Sequence, residues 1–211
     1  EDLVFPHHED EIAQSEGATG KLFAKTWLHG EFLKIDDVTM SKSKGNFFTF
    51  RDLKEQGYSP LAIRYLLLSV PYSKQLNFTF EGLKGAESTV ERLQQFRRLV
   101  KEAKTETGSE REVKALVEKS LSDFETAMDD DLNTAAALAS VHNLVREINT
   151  VLAKENLREE DRRDVLEAIE KFDSVLGVFG KEETEMLDAE IERLIEERQG
   201  ARRQTNFARS D

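Results

Sequence analysis

The 211-residue chain contains no cysteine, so it can hold no disulfide framework and can offer no thiolate to a metal. It has no apolar run long enough to span a bilayer and no basic-then-apolar leader at its start. A cytoplasmic protein without membrane attachment is the expectation. Internal repeats and low-complexity segments are missing too, as is an initiator methionine. The chain enters a dense motif directly after Glu1 and ends at Asp211 in a helical pattern without a stop signal, so the expectation is a piece cut at both ends.

What is present is enough to fold. A hydrophobic content of 38% can build a core, and a charged fraction of 34% with a mean hydropathy of -0.56 suits helices with salt-bridged outer faces. Acidic residues outnumber basic ones by 42 to 30, a net charge of -12. A chain this acidic attracts no nucleic acid through a general positive field, so any RNA contact has to come from local basic clusters.

Two regions differ in pattern. Up to Phe78 the sequence mixes short elements. Phe5-Pro6 leads into a helix from about His7 to Glu16 that Gly17 can end, Trp27 to Leu33 alternates as a strand would, and Ser59-Pro60 starts a helix whose Leu61–Val70 run is apolar enough for burial on most sides. From Thr79 onward the period is helical. Ser109 and Glu112 form a capping box before the stripe Val113, Leu116, Val117, Leu121, Phe124, Met128. Further stripes follow at Leu138, Val141, Val145, Ile148, Leu152, then Val165, Ile169, Phe172, Leu176, Phe179, and a last one begins at Leu187, Ile191, Leu194. Stepping by threes and fours predicts helices packed as a bundle.

The segment Thr39-Met40-Ser41-Lys42-Ser43-Lys44-Gly45-Asn46 carries the strongest local signal. Small and hydroxylated residues around a lysine, closed by Gly-Asn, make a loop whose backbone NH groups and ammonium can approach a polyphosphate. A lysine point charge suits a phosphate whose charge moves during reaction. For an arbitrary Ser-Lys-Ser the ordinary reading is a solvated basic loop. His7 and Glu11, four apart, share one helical face and are legitimate zinc ligands, although two donors are not a complete site and a solvated His-Glu pair is the plainer reading of the spacing.

These residues together resemble one family. Thr39 to Ser43 is similar to the KMSKS signature of class I aminoacyl-tRNA synthetases, with Thr39 where the first lysine usually stands. Asp2-Leu3-Val4-Phe5-Pro6-His7-His8-Glu9-Asp10-Glu11-Ile12-Ala13-Gln14-Ser15 resembles the FPHHENEIAQS stretch of cysteinyl-tRNA synthetases, and Gly45-Asn46-Phe47-Phe48-Thr49 and Met128-Asp129-Asp130-Asp131-Leu132-Asn133-Thr134 match the same family in the same order.

The resemblance implies a mainly α fold. Residues 1–35 would be the end of a class I Rossmann-type catalytic domain with its zinc-ligand helix, 36–78 the KMSKS loop and stem-contact region, and 79–211 an antiparallel helical tRNA-binding bundle. It implies ATP-dependent activation of cysteine and transfer to tRNA(Cys). Lys42 would be catalytic and, with Met40, Ser41, Ser43 and Asp2, would bind ATP, which arrives with Mg2+. His7 and Glu11 would join two cysteines from earlier in a full-length chain around one zinc that receives the substrate thiolate. Cysteine and serine differ too little in shape for a pocket to sort, whereas zinc prefers thiolate to hydroxyl. The expected protein is a monomer, and the piece by itself is expected to be inactive.

Other residues have plainer readings. His8 packs or hydrogen-bonds beside its neighbour, and Trp27 and His29 pack within a strand that the family places near the adenosine. Asp129-Asp130-Asp131 is either a divalent-cation cluster or, the favoured reading, the end of one helix before a cap at Asn133 or Asp131. Arg92, Arg97, Arg98, Lys101 and Arg198, Arg202, Arg203, Arg209 are candidate RNA-backbone contacts. Two alternatives remain open: the related ligase that joins cysteine to an aminosugar in mycothiol synthesis, and an inactive RNA-binding paralogue, which only Thr39 favours.

Overall fold

The computed structural model describes residues 3–41, 43, 45–105, 113–154 and 157–180. A π-type turn at Val4–His8 runs into α1, Glu9–Thr19. Gly17 does not end this helix. Two more residues continue it, and Gly20 stops it at φ 64°, its NH bonded to the Glu16 carbonyl at 2.8 Å. The glycine that terminates is the one at the left-handed position, where a Cβ would be strained.

The predicted strand at Trp27–Leu33 is absent. This stretch is irregular, with one backbone bond to a distant segment, Glu31 NH to the Tyr72 carbonyl at 2.8 Å. Pairing starts only at β1, Lys34–Ile35, which joins β2, Val38–Thr39, through a two-residue turn. Asp36 and Asp37 supply the two positive φ angles, 48° and 62°, that such a turn requires. On the other side β1 pairs in parallel with β3, Asn77–Phe78, giving the order β2-β1-β3. The Asn77 amide clasps Asp37 through its NH, at 2.8 Å, and its carboxylate, at 2.9 Å.

Between β2 and β3 lie α2, Phe50–Glu55, and α3, Pro60–Leu68. Thr49 and Asp52 cap α2 reciprocally, and these hydrogen bonds from Thr49 hold the Asp52 carboxyl below the usual carboxylate range. α3 is less enclosed than its sequence predicts: only Ala62 and Ile63 are buried, and Leu67 is half exposed. Its outer side borders an open apolar groove with Leu28, Val70, Tyr72 and Leu132 instead of a packed neighbour.

The rest is helical: α4, Phe80–Glu102; α5, Val113–Asp129; α6, Thr134–Leu152; and α7, Glu159–Leu176. Their stripes form one core around Phe96, Phe124, Ile148, Ile169 and Phe172. A smaller core unites Ile35, Leu53, Ala62, Ile63, Phe78, Leu83 and Ala86. α4 gives its first turns to the small core and its later ones to the large core, so one helix welds the two. The aspartate run ends α5 at Asp129, the cap of α6 falls on Asn133, which accepts from Ala136 NH at 3.1 Å, and Asp131 accepts the Tyr72 hydroxyl at 2.6 Å. The capping box at Ser109 and the stripe from Leu187 lie outside the described residues.

Candidate active-site segment

His7 and Glu11 both stand exposed at the junction of the π-type turn and α1. Four residues apart on continuous helical backbone, they share a face, as the spacing requires. His8, one residue on, is turned elsewhere. Its Nδ1 lies 2.9 Å from Nε2 of His29, and its ring stacks on Trp27 at 5.1 Å. Trp27 and His29 are themselves nearly parallel, 9° apart at 6.3 Å. This stack ties α1 to the irregular 27–33 stretch, and it accounts for rings that the alternating pattern assigned to a strand.

That stretch leads into β1 and β2 and so to the 40–46 loop. Asn46 closes the loop at its base. Its Oδ1 accepts from Ser41 NH at 2.9 Å, and its Nδ2 donates to the Thr39 carbonyl at 3.3 Å. Gly45 takes φ 69°, a turn that a side chain would resist. Ser41 and Ser43 bring their hydroxyls to 2.8 Å, and Met40 packs its half-buried side chain on the small core. The loop is thus pinned at Met40 and Asn46 with hydroxyls between. Lys42, the expected phosphate ligand, and Asp2, the expected ribose contact, lie outside the described residues.

No group of three or more histidine, cysteine, aspartate or glutamate side chains placed to hold a metal occurs among the described residues. His7 and Glu11, an imidazole and a carboxylate open to solvent, are two donors where a tetrahedral zinc site needs four.

Of the basic candidates, Arg97 turns inward. It donates to the Gly180 carbonyl at 2.8 Å and pairs with Glu170 at 3.0 Å, so it serves the fold. Arg198, Arg202, Arg203 and Arg209 lie outside the described residues. Sequence reading missed the Tyr65 hydroxyl at 2.7 Å from His142 Nε2, a pair that joins α3 to α6. Burial, then the nearby Arg92 charge, lowers the His142 pKa; burial raises that of Tyr65.

Residues 1–88 match the family model of the tRNA synthetases class I (C) catalytic domain, and residues 123–180 match the DALR domain. The whole chain aligns with proteins named cysteine–tRNA ligase: 40% identical to that of Koribacter versatilis over 49% of its length, 44% to that of Solibacter usitatus over 46%, and 41% to that of Protochlamydia amoebophila over 44%. The chain spans about half the length of the curated relatives it matches. No described helix is long and apolar enough to cross a membrane.

Proposed function

The chain belongs to the cysteine–tRNA ligase family of class I synthetases, and on that premise we propose that it serves ATP-dependent activation of cysteine and its transfer to tRNA(Cys). The observation that carries this reading is identity of 40–44% along the whole of this chain with about half the length of ligases of that name. In this reading the division at about residues 35 and 78 separates the catalytic remnant, the loop and stem-contact region, and the tRNA-binding helices.

Lys42 neutralises the ATP phosphates as charge builds on departing pyrophosphate, with Mg2+ bound to the nucleotide. The clasp by Asn46 and the anchor of Met40 hold the loop that carries it, and Ser41 and Ser43 offer hydroxyls to phosphate oxygens. Asp2 accepts hydrogen bonds from the ribose. His7 and Glu11 would supply two of four ligands to a zinc, which when bound prefers a thiolate to a hydroxyl. His8 keeps its ring out of that donor set because His29 and Trp27 already hold it.

Cysteine-dependent pyrophosphate exchange by the full-length protein tests the reading. Lys42→Ala is expected to lose about 3 kcal/mol or more in kcat/KM, the usual cost of one preorganised charge. Thr39→Ala should lose far less, since Thr39 contributes its backbone to β2 and to Asn46 while its side chain is exposed. Glu11→Ala is expected to lower both zinc content and discrimination against serine. Equal damage from Lys42→Ala and Thr39→Ala, or unaltered zinc and selectivity in Glu11→Ala, defeats the corresponding assignment.

A further inference from the structure

The turn between α5 and α6 holds a strained pair that its capping task does not explain. Asp131 and Leu132 stand in succession at φ 52° and 54°, left-handed angles that residues with side chains rarely adopt. Asn133 caps α6, and its own NH closes the turn on the Ala127 carbonyl at 3.0 Å. Asp131 takes no part in that cap; its carboxylate accepts the Tyr72 hydroxyl at 2.6 Å. This hydrogen bond is the chief reason that the Tyr72 pKa lies above its ordinary value, so the hydroxyl remains a donor. Tyr72 in turn holds a third segment, because its carbonyl accepts Glu31 NH at 2.8 Å. Glu31 follows closely on Trp27 and His29, the two rings gathered around His8. Leu28, Gly30, Leu132 and Thr134 line the same open groove of about 390 Å³ as Tyr72. A hydrogen-bonded relay, and not close packing, thus joins the bundle turn to the 27–33 stretch.

We propose that Tyr72 is a positioning residue for the reaction: the relay from Asp131 through Tyr72 to Glu31 fixes the 27–33 stretch against the helical bundle and, through the His8 stack, sets the face that bears His7 and Glu11. The catalytic consequence rests on the ligase reading above, which gives that face to the amino acid. The 40–46 loop is held separately. It hangs from β1 and β2, which β3 secures by backbone pairing and by the Asn77 clasp on Asp37. The relay therefore bears on cysteine and not on ATP.

Two readouts test it. Trp27 is the one tryptophan of the 211-residue chain, and it is half-buried against His8, so its emission reports the stack with no substrate present. Tyr72→Phe and Asp131→Ala, which each break the relay, are expected to shift that emission toward a solvated indole. Asp131→Asn keeps an oxygen acceptor for the hydroxyl and should leave the wild-type spectrum. In the full-length protein, Tyr72→Phe should raise the KM for cysteine in pyrophosphate exchange about three- to fivefold, the reach of one hydrogen bond net of water. The kcat and the KM for ATP should stay at their wild-type values, and Asp131→Asn should match the wild type in all three. Circular dichroism establishes that the variants fold. Unmoved Trp27 emission in folded Tyr72→Phe overturns the proposal, as does an equal rise in KM for cysteine and for ATP, the mark of a general loosening. Damage from Asp131→Asn equal to that from Asp131→Ala also overturns it. Absence of exchange by the unaltered full-length protein strikes the ligase reading alone, since the Trp27 emission needs no substrate.

Discussion

Single side chains decide how the loop and the interhelical contacts respond to change. Asn46 makes two hydrogen bonds at the foot of the 40–46 loop, each worth about 1 kcal/mol where water competes. Asn46→Ala should therefore lower kcat/KM for pyrophosphate exchange by about tenfold or more while lowering Tm by only a few degrees; full activity in that variant would show that the clasp does not order the loop. His142 works differently. Its folded-state pKa lies below the ordinary 6.5 because burial, then Arg92, disfavours the charged ring. The folded protein thus binds a proton less readily than the unfolded chain, so the contribution is complete above the ordinary value and is lost as pH falls below it. Between about pH 7 and 5 the wild type should lose more Tm than His142→Gln, which keeps an acceptor for Tyr65. Parallel Tm profiles would remove His142 as the source.

Elements were legible where local period and burial agree. The stripes of α5, α6 and α7 fall on the observed cores because each helix satisfies its own backbone and leaves only one face to be covered. The strands were illegible for the opposite reason: β1 needs β3, about forty residues away, and nothing near Lys34 announces it. The site was legible by type and order, His7 and Glu11 on one face and a Gly-Asn-closed loop, but not the ring stack that sets His8 aside, which depends on how the 27–33 stretch folds back. Also unannounced was the seam where α7 ends. Arg64 donates to the Leu176 carbonyl, Arg97 holds the Gly180 carbonyl, and Val178 and Phe179 are fully buried between them. Gly180 has φ 70°, and a Cβ there would meet Leu61 Cδ1 at 2.5 Å. Gly180→Ala is expected to destabilise by about 1–3 kcal/mol, combining left-handed strain with displacement of Leu61. A denaturation midpoint equal to wild type would mean that the seam yields more easily than its packing implies.

Across the described residues, stability rises from the first elements to the helical core. No described residue before Ile35 is buried, and seven of the fourteen exposed large apolar side chains lie in this stretch, Phe5 at 77% among them. The helices from α4 to α7 share a continuous core, so opening any of them exposes the others. The residues before β1 rest instead on α1, a ring stack, backbone bonds to Tyr72 and Met40, and Leu33 against the small core. Local opening there breaks few contacts, and a protease needs only local opening to cut. Among the described residues, brief trypsin treatment should therefore cleave first after Lys21 or Lys25 and leave a helical product that begins shortly before β1. Circular dichroism of that product should retain most of the helical signal, because α4 to α7 contain most of the described helix. Early cuts within α5 or α6 while the 21–34 segment stays whole would reverse the order of stability, placing the stronger contacts around His8, Trp27 and His29.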